Sequence, residues 1–106
     1  MYSGNKGDKE NLLIDKVFNE AVAEVLKELR KEKNISLQEL SNKMDGIVSR
    51  QTLNRYELGL SKIRMNVFFK FAKAYNIEAK QLYEKINMNY INKLSKYTEE
   101  IMKKNK

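Results

Sequence analysis

Cysteine, histidine, proline and tryptophan are all missing from this chain of 106 residues, and only four glycines are present. Without cysteine there is no disulfide framework and no thiolate. Without histidine there is no imidazole base, and the usual nucleophile–base pairs and Cys/His metal sites fall away together. Carboxylate chemistry stays formally open. The acidic residues, however, fall mainly on the outward sides of the helices inferred below, and no glycine-rich phosphate loop is present. We therefore expect a protein that is not an enzyme and that uses no metal and no cofactor. Long apolar runs are missing too: nothing approaches the roughly 18 residues that a membrane span needs. The opening "MYSGNKGDKEN" has no apolar core of the kind a signal peptide carries. The expected location is the cytoplasm, with no membrane partner.

What is present is basic charge, unevenly placed. The formal net charge is +7. Acidic and basic groups balance over residues 1–35, and the positive excess begins in residues 36–76 and continues to the end. Such an excess suits either a polyanion partner or a plain lysine-rich surface. The wealth of Lys, Asn and Ile points to an AT-rich genome, which makes arginine the informative residue. Of 21 basic residues only Arg30, Arg50, Arg55 and Arg64 are arginine, and two of them lie in the eleven residues "SRQTLNRYELG" at 49–59.

Strand-like alternation is weak, and the absent proline leaves helices unbroken, so the expectation is an all-α protein. Residues 1–9 read as a polar, disordered N-terminus. From Glu10 to Lys33, Ile14, Phe18, Ala21, Val22, Val25, Leu26 and Leu29 recur at helical spacing as a core-facing stripe. Asn34 tolerates the left-handed backbone that ends such a helix. In "SLQELSNKM" (36–44) Ser36 and Glu39 form a capping box, and Leu37, Leu40 and Met44 make the apolar face. "DGIV" (45–48) is a turn. Ser49 caps a third helix over 50–58, and Gly59 stops it. A fourth helix is expected over 65–75, with Val67, Phe68, Phe71, Ala72 and Tyr75 inward and Asn76 as its stop. A short fifth covers 78–86. A sixth, amphipathic helix is expected over 87–106, with Tyr90, Leu94, Tyr97 and Ile101 on its stripe. The chain thus divides into residues 1–9, a domain over 10–86 and the segment 87–106.

Two short helices joined by a glycine-containing turn have the shape of a helix-turn-helix. In a helix starting at Arg50, Leu53 and Tyr56 share the core side while Arg50, Gln51, Asn54 and Arg55 share the other. Arginine offers a planar fork that matches O6 and N7 of guanine, and Gln and Asn match adenine in the same way. Lysine is a flexible point charge without that fork. Arginine is then kept where geometry is read. From spacing alone, a solvated structural helix remains the competing explanation.

The segment "LKELRKEKNISLQELSNKMDGIVSRQTLNRYELGLSKI", followed by "FFKFAKAYNIEAKQLY", resembles the xenobiotic-response-element (XRE), phage Cro/repressor-type helix-turn-helix family over about residues 20–84. The matching features are "LRK" closing helix one, S-x-x-E-L opening helix two, S-R-x-T-L-x-x-Y-E-x-G for helix three and A-K-A in helix four. The resemblance implies a five-helix lambda-repressor-like domain, here with an extended first helix and an extra C-terminal helix. It implies a bacterial or phage regulator that binds double-stranded operator DNA, usually as a homodimer. Carried over residue by residue, it makes Arg50, Gln51 and Arg55 base readers, with Ser49, Thr52 and Asn54 as flanking contacts. Ser36, Gln38, Lys43, Lys62 and Arg64 become phosphate contacts. Arg30 and Glu57 become a structural ion pair that orients helix three.

Several positions depart from the family pattern. The turn "MDGIVS" is longer than usual, which leaves the angle between helices two and three open. Leu37 stands where Gln is frequent, Ser41 where Ala is frequent, and Ile63 where Pro is frequent. Residues 10–19 and 87–106 lie beyond the usual domain. Ile14 and Phe18, with Tyr90, Leu94, Tyr97 and Ile101, form a candidate dimer interface. The alternatives are a tail that packs on helix one within the same chain, or one that orders on a partner. Two functions follow: a sequence-specific transcriptional regulator acting as a repressor, or an antitoxin or adaptor whose partner is a protein. No segment reads as a ligand-binding domain, so any signal is expected to arrive through a partner, proteolysis or expression level.

Overall fold

The computed structural model describes residues 6–104, with side chains described over 13–100 and at 102 and 103. Five helices follow one another: α1 (Lys6–Glu32), α2 (Leu37–Lys43), α3 (Arg50–Glu57), α4 (Met65–Ala74) and α5 (Ala79–Lys104). No strand occurs among the described residues.

With no proline to interrupt them, the first four helices are each stopped at a residue in the left-handed region. Asn34, Asp45, Gly59 and Asn76 follow α1, α2, α3 and α4 with φ of 55°, 58°, 72° and 56°. Each stop carries the same pair of backbone bonds. After α1, Ile35 N donates to Arg30 O at 3.3 Å and Asn34 N to Lys31 O at 3.0 Å. After α3, Leu60 N donates to Arg55 O at 3.0 Å and Gly59 N to Tyr56 O at 3.1 Å. This is the Schellman arrangement, which satisfies carbonyls that the helix itself leaves unpaired. Ile35 and Ile77, the residues after two of these stops, then fold against the core. Helix starts are equally local. Ser36 and Glu39 form the expected capping box, and the Ser49 side chain accepts from Thr52 N at 3.2 Å.

Every helix sends side chains into one core. Leu26 comes from α1, Leu40 from α2, Leu53 from α3, Phe71 from α4 and Leu82 from α5, together with Met44 and Tyr75 at helix ends, and all are fully buried. Truncating such a leucine to alanine typically costs about 2–5 kcal/mol. The aromatic rings of Tyr56 and Phe71 meet edge to face at 6.0 Å. The Tyr75 hydroxyl donates to Leu26 O at 2.9 Å, so its polar end is satisfied inside the core.

Three expectations need correction. The helices expected over 78–86 and 87–106 are one continuous element, α5. Asn87, Met88 and Asn89 contain neither a Gly nor a Pro to stop it. Asn89 is instead held in register, its side-chain amide donating to Ala21 O at 3.2 Å. The stripe of α1 is also shorter than expected. Its residues are buried only from Ala21 onward, with Val17 buried beside them, while Ile14 and Phe18 remain 42% and 41% exposed. Helix α1 is already present at Lys6, the first described residue, so residues 6–9, expected to be part of a disordered N-terminus, are helical; residues 1–5 lie outside the described residues, as does the Ile101 side chain.

At 27 and 26 residues, α1 and α5 are each about 40 Å long at 1.5 Å per residue. They cross where Phe18 meets Tyr90 edge to face at 5.1 Å and Glu24 pairs with Lys93. Ile91 is exposed at that crossing, and Tyr97 and Met102 of α5 are exposed beyond it. No helix is long and apolar enough to cross a membrane among the described residues.

Candidate nucleic-acid interface

Helix α3 has only eight residues, too few to persist alone. Its position is set by what it buries. Leu53 and Tyr56 face the core at 1% and 9% exposure. The opposite side presents two rows at four-residue spacing, Arg50 with Asn54 and Gln51 with Arg55, and all four are exposed.

Both ends of α3 are anchored. At its C-terminal end the Glu57 carboxylate receives a fork from Arg30: Nε donates to Oε2 at 2.7 Å and Nη2 to Oε1 at 2.9 Å. The third branch, Nη1, donates to Ile35 O at 2.9 Å. One guanidinium therefore joins α1, the α1–α2 connection and α3. Its side chain is 16% exposed and that of Glu57 is 6% exposed, so the bonds are largely shielded from water. The Arg30 pKa is raised, chiefly by the hydrogen bond to Glu57, with desolvation acting against it. At the N-terminal end, the long turn before α3 is tied to α2. The buried Ser41 hydroxyl donates to Val48 O at 2.6 Å, and Gly46 N donates to Ser41 O at 2.9 Å. The departure from alanine at position 41 and the longer turn thus belong together: the added hydroxyl holds the turn's last residues. Gly46 follows Asp45 with φ of 69°, a conformation that glycine adopts without strain.

The expected site residues fall into distinct situations. Ser49 and Thr52 are engaged with each other, Ser49 Oγ donating to Thr52 Oγ1 at 3.0 Å, at the start of α3. Arg55 is exposed, but its Nε donates to Ser61 Oγ at 3.0 Å across the turn after α3. That bond uses one N–H, and the two terminal amino groups are the pair that forms an end-on fork to guanine. Ser36 is committed to its capping box. Gln38 is exposed and donates to Asn42 Oδ1 at 3.2 Å. Lys43 and Arg64 are exposed, and Arg64 is the residue before α4 without a side-chain cap. Lys62 turns toward α1, where Asp15 lies at 3.4 Å, although both side chains stay mostly in water. Such an exposed pair is worth little and separates readily.

Sequence reasoning missed the Ser61, Ser41 and Tyr75 contacts. Each joins chain segments through a fold-back, and no spacing rule marks them. Among the described residues no group of three or more His, Cys, Asp or Glu is placed to hold a metal ion.

Residues 26–82 match the family model for a helix-turn-helix of the Cro/C1 type. The match covers more than half of the chain, and the protein belongs to this XRE family of DNA-binding regulators, whose domain is the all-α lambda-repressor-like fold. No curated protein and no solved structure matches the chain at a significant level. The first twenty residues of α1 and most of α5 lie outside the family match.

Proposed function

We propose that the protein is a sequence-specific transcriptional repressor that binds operator DNA as a homodimer in the cytoplasm, with α3 in the major groove, and occludes a promoter. The observation that carries this reading is the outward face of α3. Arg50, Gln51, Asn54 and Arg55 are exposed together on a helix locked to the core through Arg30 and Glu57. Arg50, Gln51 and Arg55 read base edges, and Asn54, Ser49 and Thr52 flank them. Lys43, Lys62 and Arg64, with Ser36 and Gln38, meet phosphates, which position the protein without specifying sequence. Lys62 leaves Asp15 to do so, at little cost.

The homodimer rests on apolar surface at and beyond the crossing of the long helices. Ile14 and Phe18 on α1 and Ile91 and Tyr97 on α5 are exposed, with the half-buried Tyr90 and Leu94 beside them. Two copies joined there would present two α3 helices to half-sites about 34 Å apart.

The test is selection of bound duplexes from a random pool at near-physiological salt, since nonspecific binding by a +7 chain is salt-sensitive. We expect an enriched inverted repeat that Arg50→Ala or Arg55→Ala loses. No enrichment would favour the second reading, an antitoxin or adaptor with a protein partner. The same apolar face of α5 supports that reading.

A further inference from the structure

A groove of about 310 Å³ opens between α1, the connection from α3 to α4, and the first turns of α5. Its floor is apolar, made by Val22, Ile63, Phe68 and Ile86, and Phe18 and Tyr83 stand at its sides. The size lies at the low end of the range for small-molecule sites, and a concave apolar hole with a few polar groups at its edge is what such sites look like. The edge carries Asp15 and Lys62, opposite charges 3.4 Å apart, which cancel locally in a strongly basic chain. In the free protein this edge therefore has no net charge with which to hold a charged ligand. Three aromatic rings, from Phe18, Phe68 and Tyr83, offer faces and edges to a planar ring.

Ser61 ties this groove to α3. It lines the groove, and its hydroxyl oxygen accepts the Nε–H of Arg55 at 3.0 Å. A hydroxyl that accepts from arginine still has its own O–H to donate. A ligand atom that takes this proton fixes the rotor with a lone pair on Arg55, and hydrogen bonds in such a chain reinforce one another.

We propose that the groove is an effector site for a neutral, planar aromatic molecule of one or two fused rings bearing a hydrogen-bond acceptor. Through Ser61 the ligand holds the Arg55 guanidinium in place before DNA arrives, so it acts as a co-repressor. The co-repressor step rests on reading Arg55 as a base contact; binding in the groove does not. The site lies where the helix-turn-helix domain meets the part of α1 before Leu26 and the part of α5 after Leu82.

The experiment uses the full chain labelled with ¹⁵N and ¹³C and 2-naphthol as the probe. With four arginines in the chain, the side-chain Nε–H spectrum is simple to follow. We expect a saturable shift of the Arg55 Nε–H resonance, together with the methyl groups of Val22 and Ile63, with a Kd below ~1 mM. Tyr83 and Met65 are 57% and 67% exposed at the groove's mouth, so Tyr83→Ala and Met65→Ala should fold normally and weaken binding several-fold. Ser61→Ala should still bind the probe, weakened by no more than about tenfold for the lost hydrogen bond, and leave Arg55 unmoved. With the selected operator, the probe should raise affinity by about fivefold or more in the natural chain and not in Ser61→Ala. No saturable shift up to the probe's solubility, or one indifferent to both mouth variants, overturns the site. Saturation without movement of Arg55 overturns the coupling. Saturation that moves Arg55 in a chain that binds no DNA upholds the site and overturns the DNA reading instead.

Discussion

Arg30 and Glu57, 27 residues apart, share two hydrogen bonds of 2.7 and 2.9 Å, and the same guanidinium reaches Ile35 O at 2.9 Å. The pair sits at the one end of α3 where a small rotation would swing Arg50 through the largest arc. From that placement we expect it to set the direction of the helix as well as to add to stability.

Removing either partner should be expensive, because the other charge is left shielded from water. Glu57→Ala and Arg30→Ala should each cost about 3 kcal/mol in urea unfolding, near the low end for breaking a buried pair. In the double variant the losses should fall well short of additive, with an interaction energy of about 1–3 kcal/mol. Additive losses would mean that the two side chains act separately.

The outward residues of α3 and the lysines around it should fail differently. Arg50→Ala or Arg55→Ala should cost about 1–3 kcal/mol on the selected operator and relax the preference at one base position. Lys43→Ala should weaken binding to all duplexes alike and reduce the salt slope by about one. A competition assay against single-base variants of the operator, repeated at several salt concentrations, separates the two behaviours. Equal relaxation by Lys43→Ala would remove the distinction drawn between them.

Tyr75 should make alkaline pH destabilising. Its pKa is raised from 10.0 because burial disfavours the phenolate and Glu57 repels it, while Arg30 acts in the opposite direction. The folded state therefore holds the proton more tightly than the unfolded one. Its contribution is complete below pH 10.0 and is lost as pH climbs above that value toward the raised one. Tyr75→Phe removes the bond to Leu26 O and should cost about 1 kcal/mol at pH 7. Above pH 10 that gap should narrow by up to ~1.4 kcal/mol per pH unit, because the natural chain alone pays to keep this phenol protonated. Urea unfolding of both proteins at pH 7 and 11 gives the comparison, and an unchanged gap would show that Tyr75 ionises freely.

Ile86 is buried in the core, and Asn89, Tyr90 and Lys93 touch α1. Cutting after Lys93 should therefore leave thermal stability nearly unchanged. Cutting after Ile86 would remove the contacts to α1 as well and should lower the melting temperature. Sedimentation of the shorter-cut chain tests the proposed homodimer: self-association should weaken, and an equally tight dimer would place the interface elsewhere.

Much of the architecture was written in short stretches of sequence. Ser36 with Glu39, Ser49, Asn34, Gly59 and Asn76 act within five residues of themselves, through caps and left-handed stops, so their effects can be inferred without a fold. The division of α3 into Leu53 and Tyr56 against Arg50, Gln51, Asn54 and Arg55 needs only the helical period. The ion pair between Arg30 and Glu57 was accessible through the family pattern and would not have been found from spacing. Other features belong to tertiary structure alone. Whether Ile14 and Phe18 are covered depends on where α5 crosses α1, and that depends on α5 running unbroken past Asn87. The contacts from Ser41 to Val48, from Arg55 to Ser61 and from Tyr75 to Leu26 each need chain segments to return to one another. So does the groove beside Ser61. Local rules act on neighbours along the chain; they determine where helices start, stop and turn their apolar sides, and packing decides which side chains those helices bring together.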